Sequence, residues 1–256
     1  MPRALVTGAG KRLGRAMALY LAGRGFDVAV HYATSREGAE ATVAEIATLG
    51  RRACLLQANL LDEAEVQSLL PRAAAELGGP VTCLINNASI FEADDIRTAT
   101  RESWERHIGS NLRAPFLLTQ AMAGQKLLAP PDDRGEPRAT GLIVNMIDQR
   151  VHNLTPDFMS YTVAKMGLWA MTRTTAQALA PTIRVNGIGP GPTLQGYHQS
   201  ADAFSRERRS TVLERGADPA DINGALGYFL DAPAVTGQMI CTDGGQHLQW
   251  QNERTN

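Results

Sequence analysis

Arg3-Ala-Leu-Val-Thr7-Gly8-Ala-Gly-Lys11-Arg12-Leu13-Gly14, running on into Arg15-Ala-Met-Ala-Leu-Tyr-Leu-Ala22, decides the fold of this chain. Residues 3–7 read as a short apolar strand, 8–14 as a glycine turn, and 15–22 as the opening of a helix. Glycines in such a turn let backbone N–H groups approach a pyrophosphate, which then sits at the positive end of the helix. A glycine pattern alone often marks only a turn. The order strand, glycine turn, helix is the discriminating signal.

Outward from this unit, strands are expected near 3–7, 27–32, 52–57, 81–86, 141–147, 183–188 and 238–242. Helices are expected near 12–24, 35–49, 62–77, 101–129, 159–180 and 218–230. Strands alternating with helices at this spacing imply parallel βαβ units. The fold class is therefore α/β, a single-domain Rossmann-like doubly wound parallel sheet with helices on both faces. Two stretches break the pattern. Residues 129–138 form a polar, proline-broken loop expected at the surface, and 191–217 lie between the sixth strand and the last long helix. Loops at the carboxyl ends of strands are where such sheets bind their ligands.

At 256 residues the chain is large enough to bury most of its apolar surface in one domain. A net charge of −1 gives no electrostatic case for nucleic acid or an acidic membrane as partner. No apolar run approaches the ~20 residues of a membrane span, and the first residues enter a strand directly, so neither a transmembrane helix nor a signal peptide is expected. Cys54, Cys83 and Cys241 are far apart and fall in expected strands. They suit buried thiols in a reducing, cytoplasmic compartment better than a disulfide. The five histidines show no ligand spacing, so no metal is expected.

In Tyr161-Thr-Val-Ala-Lys165 the two polar side chains stand four residues apart, on one face of the expected helix. A nearby ammonium favours phenolate and would bring the Tyr161 pKa down from about 10 toward neutrality. Taken alone, the spacing also fits an ordinary helix face. Upstream, Ile143-Val-Asn-Met146-Ile-Asp148 reads as a buried strand ending in a carboxylate. Carbonyl reduction builds negative charge on oxygen and wants neutral or positive donors there. An ionised Asp148 would oppose it. Reduction of a C=N bond needs a proton on nitrogen, which a carboxyl group can hold or relay. A partly dry cleft would push the Asp148 pKa upward. The alternative is a structural acceptor for backbone groups at the strand end.

The second strand speaks to the cofactor. An NAD site places Asp or Glu at the end of this strand to accept from the ribose 2′-OH. Here the acid, Asp27, stands at the start, and the end offers His31, Thr34, Ser35 and Arg36. Lys11 and Arg12 add two cations in the glycine turn. Donors and cations without a carboxylate suit a 2′-phosphate, hence NADP(H). The competing reading is surface charge beside a turn.

These segments together resemble the short-chain dehydrogenase/reductase family over nearly the whole chain. Thr7-Gly8 with Gly14 looks like its cofactor loop, Asn86-Asn87-Ala88 like the motif ending the fourth strand, and Tyr161/Lys165 like its catalytic pair. Asn111 matches a mid-helix asparagine, Pro190-Gly191 the turn at the nicotinamide, and Asp243-Gly244-Gly245 a C-terminal signature. By this resemblance the cofactor would also touch Leu13, Leu60, Ser89 and Met146. Asn59 stands where an acidic residue commonly faces adenine, and its amide oxygen could accept from the adenine amine.

The departures from the family narrow the match. Arg12 takes the place of the second loop glycine, and Asp148 the place of a serine. With Asn86-Asn-Ala-Ser-Ile-Phe91, the combination resembles the pteridine reductases. That resemblance implies Phe91 stacking on a flat pterin, with Ser89 and Arg12 bonding pterin and cofactor phosphates. Asp148 and Tyr161 would handle the proton, with Lys165 holding the nicotinamide ribose. Asn111 would keep its helix locally open so that water can reach Lys165, or would only pack that helix. Pro115 is expected to bend the same helix. The 191–217 region would be the substrate loop, with Tyr197 in it. A homodimer or homotetramer is implied, with Trp169 as a packing candidate. The tail at His247–Trp250 could fold over a site or fray. Two other readings stay open: a carbonyl or 3-oxoacyl reductase of the same fold, and a catalytically silent NADP(H)-binding module.

Overall fold

The computed structural model describes residues 1–196 and 199–249, so Tyr197 and Trp250 lie outside the described residues. Seven strands form one parallel sheet: β1 Arg3–Val6, β2 Asp27–Tyr32, β3 Ala53–Gln57, β4 Cys83–Asn86, β5 Gly141–Met146, β6 Ile183–Pro190 and β7 Met239–Thr242. Their order is β3-β2-β1-β4-β5-β6-β7. Register runs Val6 beside Val30 and Ile85, Asn86 beside Asn145, and Met146 beside Ile188.

Period-two side chains build two cores from this sheet. Ala4, Val6, Val28, Val30, Ile85 and Val144 point to one face, under α1 (Arg12–Gly23) and α8 (Pro219–Asp231). Leu5, Ala29, Leu84, Ile143 and Val185 point to the other. That second face is covered by α3 (Glu63–Leu77) and α5 (Ala114–Ala123). Because both faces are covered, the central strands are continuous apolar runs. The chain reverses direction across the sheet between β1 and β4, which opens a crevice at their carboxyl ends.

The helix expected over 101–129 is three pieces. α4 (Arg101–Ile108) passes into a π-helical turn, Gly109–Arg113, and then into α5. Pro115 brings no N–H to the Asn111 carbonyl, and the Ala114 N–H reaches back five residues to Gly109. The expected bend is thus a local widening at Asn111. Beyond Gly124 the chain leaves the helix, and residues 131–138 are exposed. Inside the 191–217 stretch lies a helix that the periodicity did not suggest, α7 (Ala201–Arg209). Ser200 caps it, Asp202 sits in its first turn, and Arg206, Arg208 and Arg209 sit in its last. No helix among the described residues is long and apolar enough to cross a membrane.

Candidate active site

The glycine turn is held by the ends of neighbouring strands. The Thr7 hydroxyl accepts from the Asn87 and Ala88 amides at 2.9 and 3.0 Å, and Asn87 Nδ2 donates to the Thr7 carbonyl at 2.8 Å. Gly8 has φ +66°, which only glycine adopts without strain. A Cβ on Gly14 would lie 2.2 Å from the Gly8 oxygen and 2.6 Å from Asn87 Nδ2. No larger residue fits without moving backbone.

A groove of about 530 Å³ runs along this turn. It is lined by most of the expected cofactor residues: Gly8, Lys11, Arg12, Leu13, His31, Thr34, Ser35, Asn59, Leu60, Asn87, Ala88 and Ser89. Among the described residues no aspartate or glutamate lines it. The one acid of β2, Asp27, is buried at the opposite end of the strand, where it accepts from Arg51 at 2.7 Å and from the Arg52 amide at 3.0 Å. Lys11, Thr34 and Ser35 are therefore free of a competing groove carboxylate, a donor set that fits a 2′-phosphate. The groove also includes Ile90 and Ser110, which no sequence signal had marked.

Three of the expected cofactor residues already have partners within the protein. His31, expected among the donors at the phosphate, is turned inward: it is buried, its Nδ1 accepts from the Gly8 amide at 3.0 Å, and its Nε2 faces the Ala58 carbonyl at 3.1 Å. These partners select the neutral tautomer with the proton on Nε2, and burial brings its pKa down to about 4. Asn59 lines the groove, and its amide oxygen accepts from the Leu61 N–H at 3.1 Å, which leaves its second lone pair for an adenine amine. Arg12 adopts φ +53°, so the place of a glycine is conformationally real. Its guanidinium donates to the Gln195 and Leu194 carbonyls at 2.8 and 3.0 Å, clasping the 191–217 segment.

At the ends of β5 and β6 the expected catalytic residues meet. α6 (Met159–Leu179) carries both Tyr161 and Lys165, buried. Tyr161 Oη donates to Asp148 Oδ2 at 2.8 Å, while Asp148 Oδ1 accepts from the Arg150 amide at 2.8 Å. Lys165 Nζ donates to the Met146 carbonyl at 2.7 Å. Burial raises the Asp148 pKa against the opposing Arg150 amide and Tyr161 hydroxyl. Burial, then the Asp148 charge, raises the Tyr161 phenol well above its ordinary value, with Ser89 among the groups pulling the other way. The expectation of a phenol brought toward neutrality by Lys165 is thus reversed. The ammonium is turned to a carbonyl and is itself lowered by burial to about 8.

The flanking residues are placed as follows. Asn111 is buried, and its amide accepts from the Ile90 N–H at 2.9 Å and donates to the Ile90 carbonyl at 2.8 Å. It locks the segment after β4, and among the described residues its amide makes no direct hydrogen bond to Lys165. Phe91, 54% exposed, meets Tyr161 edge to face at 4.7 Å. One of its faces is already stacked on Phe158, centroids 4.3 Å apart and 10° from parallel. Arg150 lies over Phe158 at 5.2 Å. Pro190 ends β6, and Gly191 passes so close to Asp243 that a Cβ would lie 2.6 Å from that residue's Cβ.

The family model for short chain dehydrogenases matches residues 2–204. The chain belongs to that family. Among solved structures it is similar to FolM alternative dihydrofolate reductase 1 from Brucella suis in complex with NADP, with a TM-score of 0.90 and 40% identity over 98% of this chain and 97% of that one. The FolM alternative dihydrofolate reductase 1 from Brucella canis, also complexed with NADP, has the same TM-score and identity over 100% of this chain and 97% of that one. Among sequences, it is 30% identical over 253 residues to the 3-oxoacyl-(acyl-carrier-protein) reductase FabG of Staphylococcus epidermidis, covering 96% of this chain and 98% of that protein.

Proposed function

We propose that this short-chain dehydrogenase is an NADPH-dependent reductase of a pterin C=N bond, of the dihydropteridine or dihydrofolate type. The carrying observation is the 2.8 Å contact between Tyr161 Oη and Asp148 Oδ2, with both groups pushed toward their protonated forms. A phenol and a carboxyl held together can deliver a proton to a ring nitrogen and be reset by sharing a second one.

The bound cofactor supplies hydride. Lys11, Thr34 and Ser35 would hold its 2′-phosphate, the glycine turn its pyrophosphate, and Lys165 its nicotinamide ribose, with Pro190 and Gly191 beside the ring. Phe91 offers a flat, exposed aromatic face next to Tyr161, suited to a planar substrate. Ser89 is exposed beside them as a hydrogen-bonding group, and Arg12 reaches over the same cleft. The 191–217 segment, clasped by Arg12, would meet the substrate tail. Exposed Trp104, Phe116, Val163 and Met166 on α4, α5 and α6 support assembly into a homodimer or homotetramer. The three free thiols suit a cytoplasmic setting.

A second reading, reduction of a 3-oxoacyl thioester, is favoured by the names of the 30%-identical relatives. Following NADPH oxidation with dihydrobiopterin, dihydrofolate and an acetoacetyl thioester separates the two. Pterin turnover that drops on both Asp148→Ser and Tyr161→Phe is the expected result. Thioester turnover that survives or rises with serine at 148 would sink the pterin reading. Tight NADPH binding with no turnover on any of the three would point to a silent binding module.

A further inference from the structure

The helix that carries Tyr161 begins in an unusual way. Its N-cap residue, Phe158, sits at φ +55° and offers no capping side chain. The first N–H groups of any helix need acceptors from elsewhere. Here they are met by Asp94, far upstream: its carbonyl accepts from the Met159 amide at 3.2 Å and its Oδ1 from the Ser160 amide at 3.1 Å. Its Oδ2 accepts from the Ser160 hydroxyl and from Ser103 Oγ at 3.1 Å. A carboxylate at this end of a helix is also favoured by the helix dipole.

The Ser160 hydroxyl continues to a second partner. His107, fully buried in α4, places Nδ1 2.6 Å from Ser160 Oγ. Its Nε2 accepts from the Glu92 amide at 3.1 Å. That N–H leaves the ring proton on Nδ1, so the chain has one polarity: Glu92 N–H to His107, His107 to Ser160, Ser160 to Asp94. The carboxylate binds the hydroxyl and not the imidazole. The serine is therefore a committed donor, and the trio is no nucleophilic triad.

Both ends of this chain, Glu92 and Asp94, belong to the short segment that carries Ser89 and Phe91, and its middle is the residue before Tyr161. We propose that Asp94, Ser160 and His107 are positioning residues that set the Phe91 ring against the Tyr161 hydroxyl, and so govern capture of the flat substrate. The proposal rests on reading Phe91 as the ring-binding face. A buried network linking three elements transmits position because each member has all its partners satisfied.

The test uses Ser160→Ala and Asp94→Asn, with the first sufficient should the second fail to fold. Hydrogen exchange is read by mass spectrometry without substrate. Peptides over 89–95 and the start of α6 are expected to exchange about tenfold faster, and those over 7–14 to be unchanged. In turnover, KM for the pterin is expected to rise about tenfold with NADPH affinity held within about twofold. In a Phe91→Ala background, Ser160→Ala is expected to add less than about twofold, since the network acts through that ring. Exchange that is unaltered over 89–95, or faster everywhere alike, overturns the proposal, as does a full tenfold effect without Phe91. Wild-type protein that reduces no pterin defeats the proposed function and leaves the exchange result to decide this one.

Discussion

The two halves of the cleft are built from different materials. Around the glycine turn the contacts are made by backbone and by side chains at strand ends: Thr7, Asn87, His31 and the Gly8 and Gly14 approaches. Across the cleft, the substrate side is a pile of side chains from separate elements. Arg150 lies on Phe158, Phe158 on Phe91, and Phe91 against Tyr161, while Arg12 reaches to the carbonyls of Leu194 and Gln195. The first half leaves no room for variation, because its tolerances are set by backbone atoms. The second can be rearranged by rotating side chains, so a family can keep its cofactor and change its substrate.

The contrast is broken most strongly at Gly14. Gly14→Ala puts a methyl into the Gly8 carbonyl, and NADPH affinity in a fluorescence titration should fall by about a hundredfold or more. A comparable change on the substrate side should leave that affinity intact.

Next in size is an acid sensitivity housed in the cofactor half. His31 is neutral when folded, with a pKa near 4, and titrates at about 6.5 when unfolded. Between those values the unfolded chain binds the extra proton, so stability falls as pH drops through about 6.5 and the loss levels off near 4. Its full extent is about 3 kcal/mol. Urea unfolding at stepped pH should show this slope, and His31→Gln should flatten it while lowering stability at pH 7. A slope that persists unchanged in the variant would assign it to other groups.

On the substrate side the effects are smaller. Phe158→Ala uncovers one face of Phe91 and removes a stacked pair of about 1 kcal/mol. KM for a pterin should move by roughly two- to tenfold, with NADPH affinity unaltered. The direction reports whether Phe158 competes with the substrate for that face or supports the ring behind it.

The smallest change is expected for Arg12→Gly. Glycine relieves a left-handed backbone by about 1 kcal/mol while losing two solvent-exposed bonds to 194 and 195, so the melting temperature should hardly move. Limited proteolysis within 191–217 should nevertheless become faster. If it does not, the clasp plays no part in ordering that segment.

Much of this was legible in the chain itself. The Gly8 to Gly14 turn, the apolar strands and the Tyr161/Lys165 face follow from local rules that a sequence displays directly. The placement of Asp27 at the wrong end of β2 for a ribose was legible too, and no carboxylate among the described residues lines the groove. The errors share a cause. His31 looked like a donor for phosphate because its neighbours in sequence are donors, yet its partners, Gly8 and Ala58, come from two other strand ends. Tyr161 looked acidified by Lys165 because helix spacing shows only the ammonium. The depth of the site and the carboxylate from β5 act in the opposite direction. α7 did carry signals, Ser200 at its cap and arginines in its last turn, but they were masked by the irregular segment around it.

By itself, then, the sequence determined what depends on local backbone geometry and on period: a parallel doubly wound sheet, a glycine turn for a dinucleotide, and a tyrosine and lysine on one helix face. Only the tertiary structure decided which protons those groups keep, that Asp148 rather than Lys165 faces the phenol, and that Asp94 caps a helix beginning 65 residues later. Protonation and capping depend on which distant segments exclude water and bring partners, and that information exists only once the chain has folded.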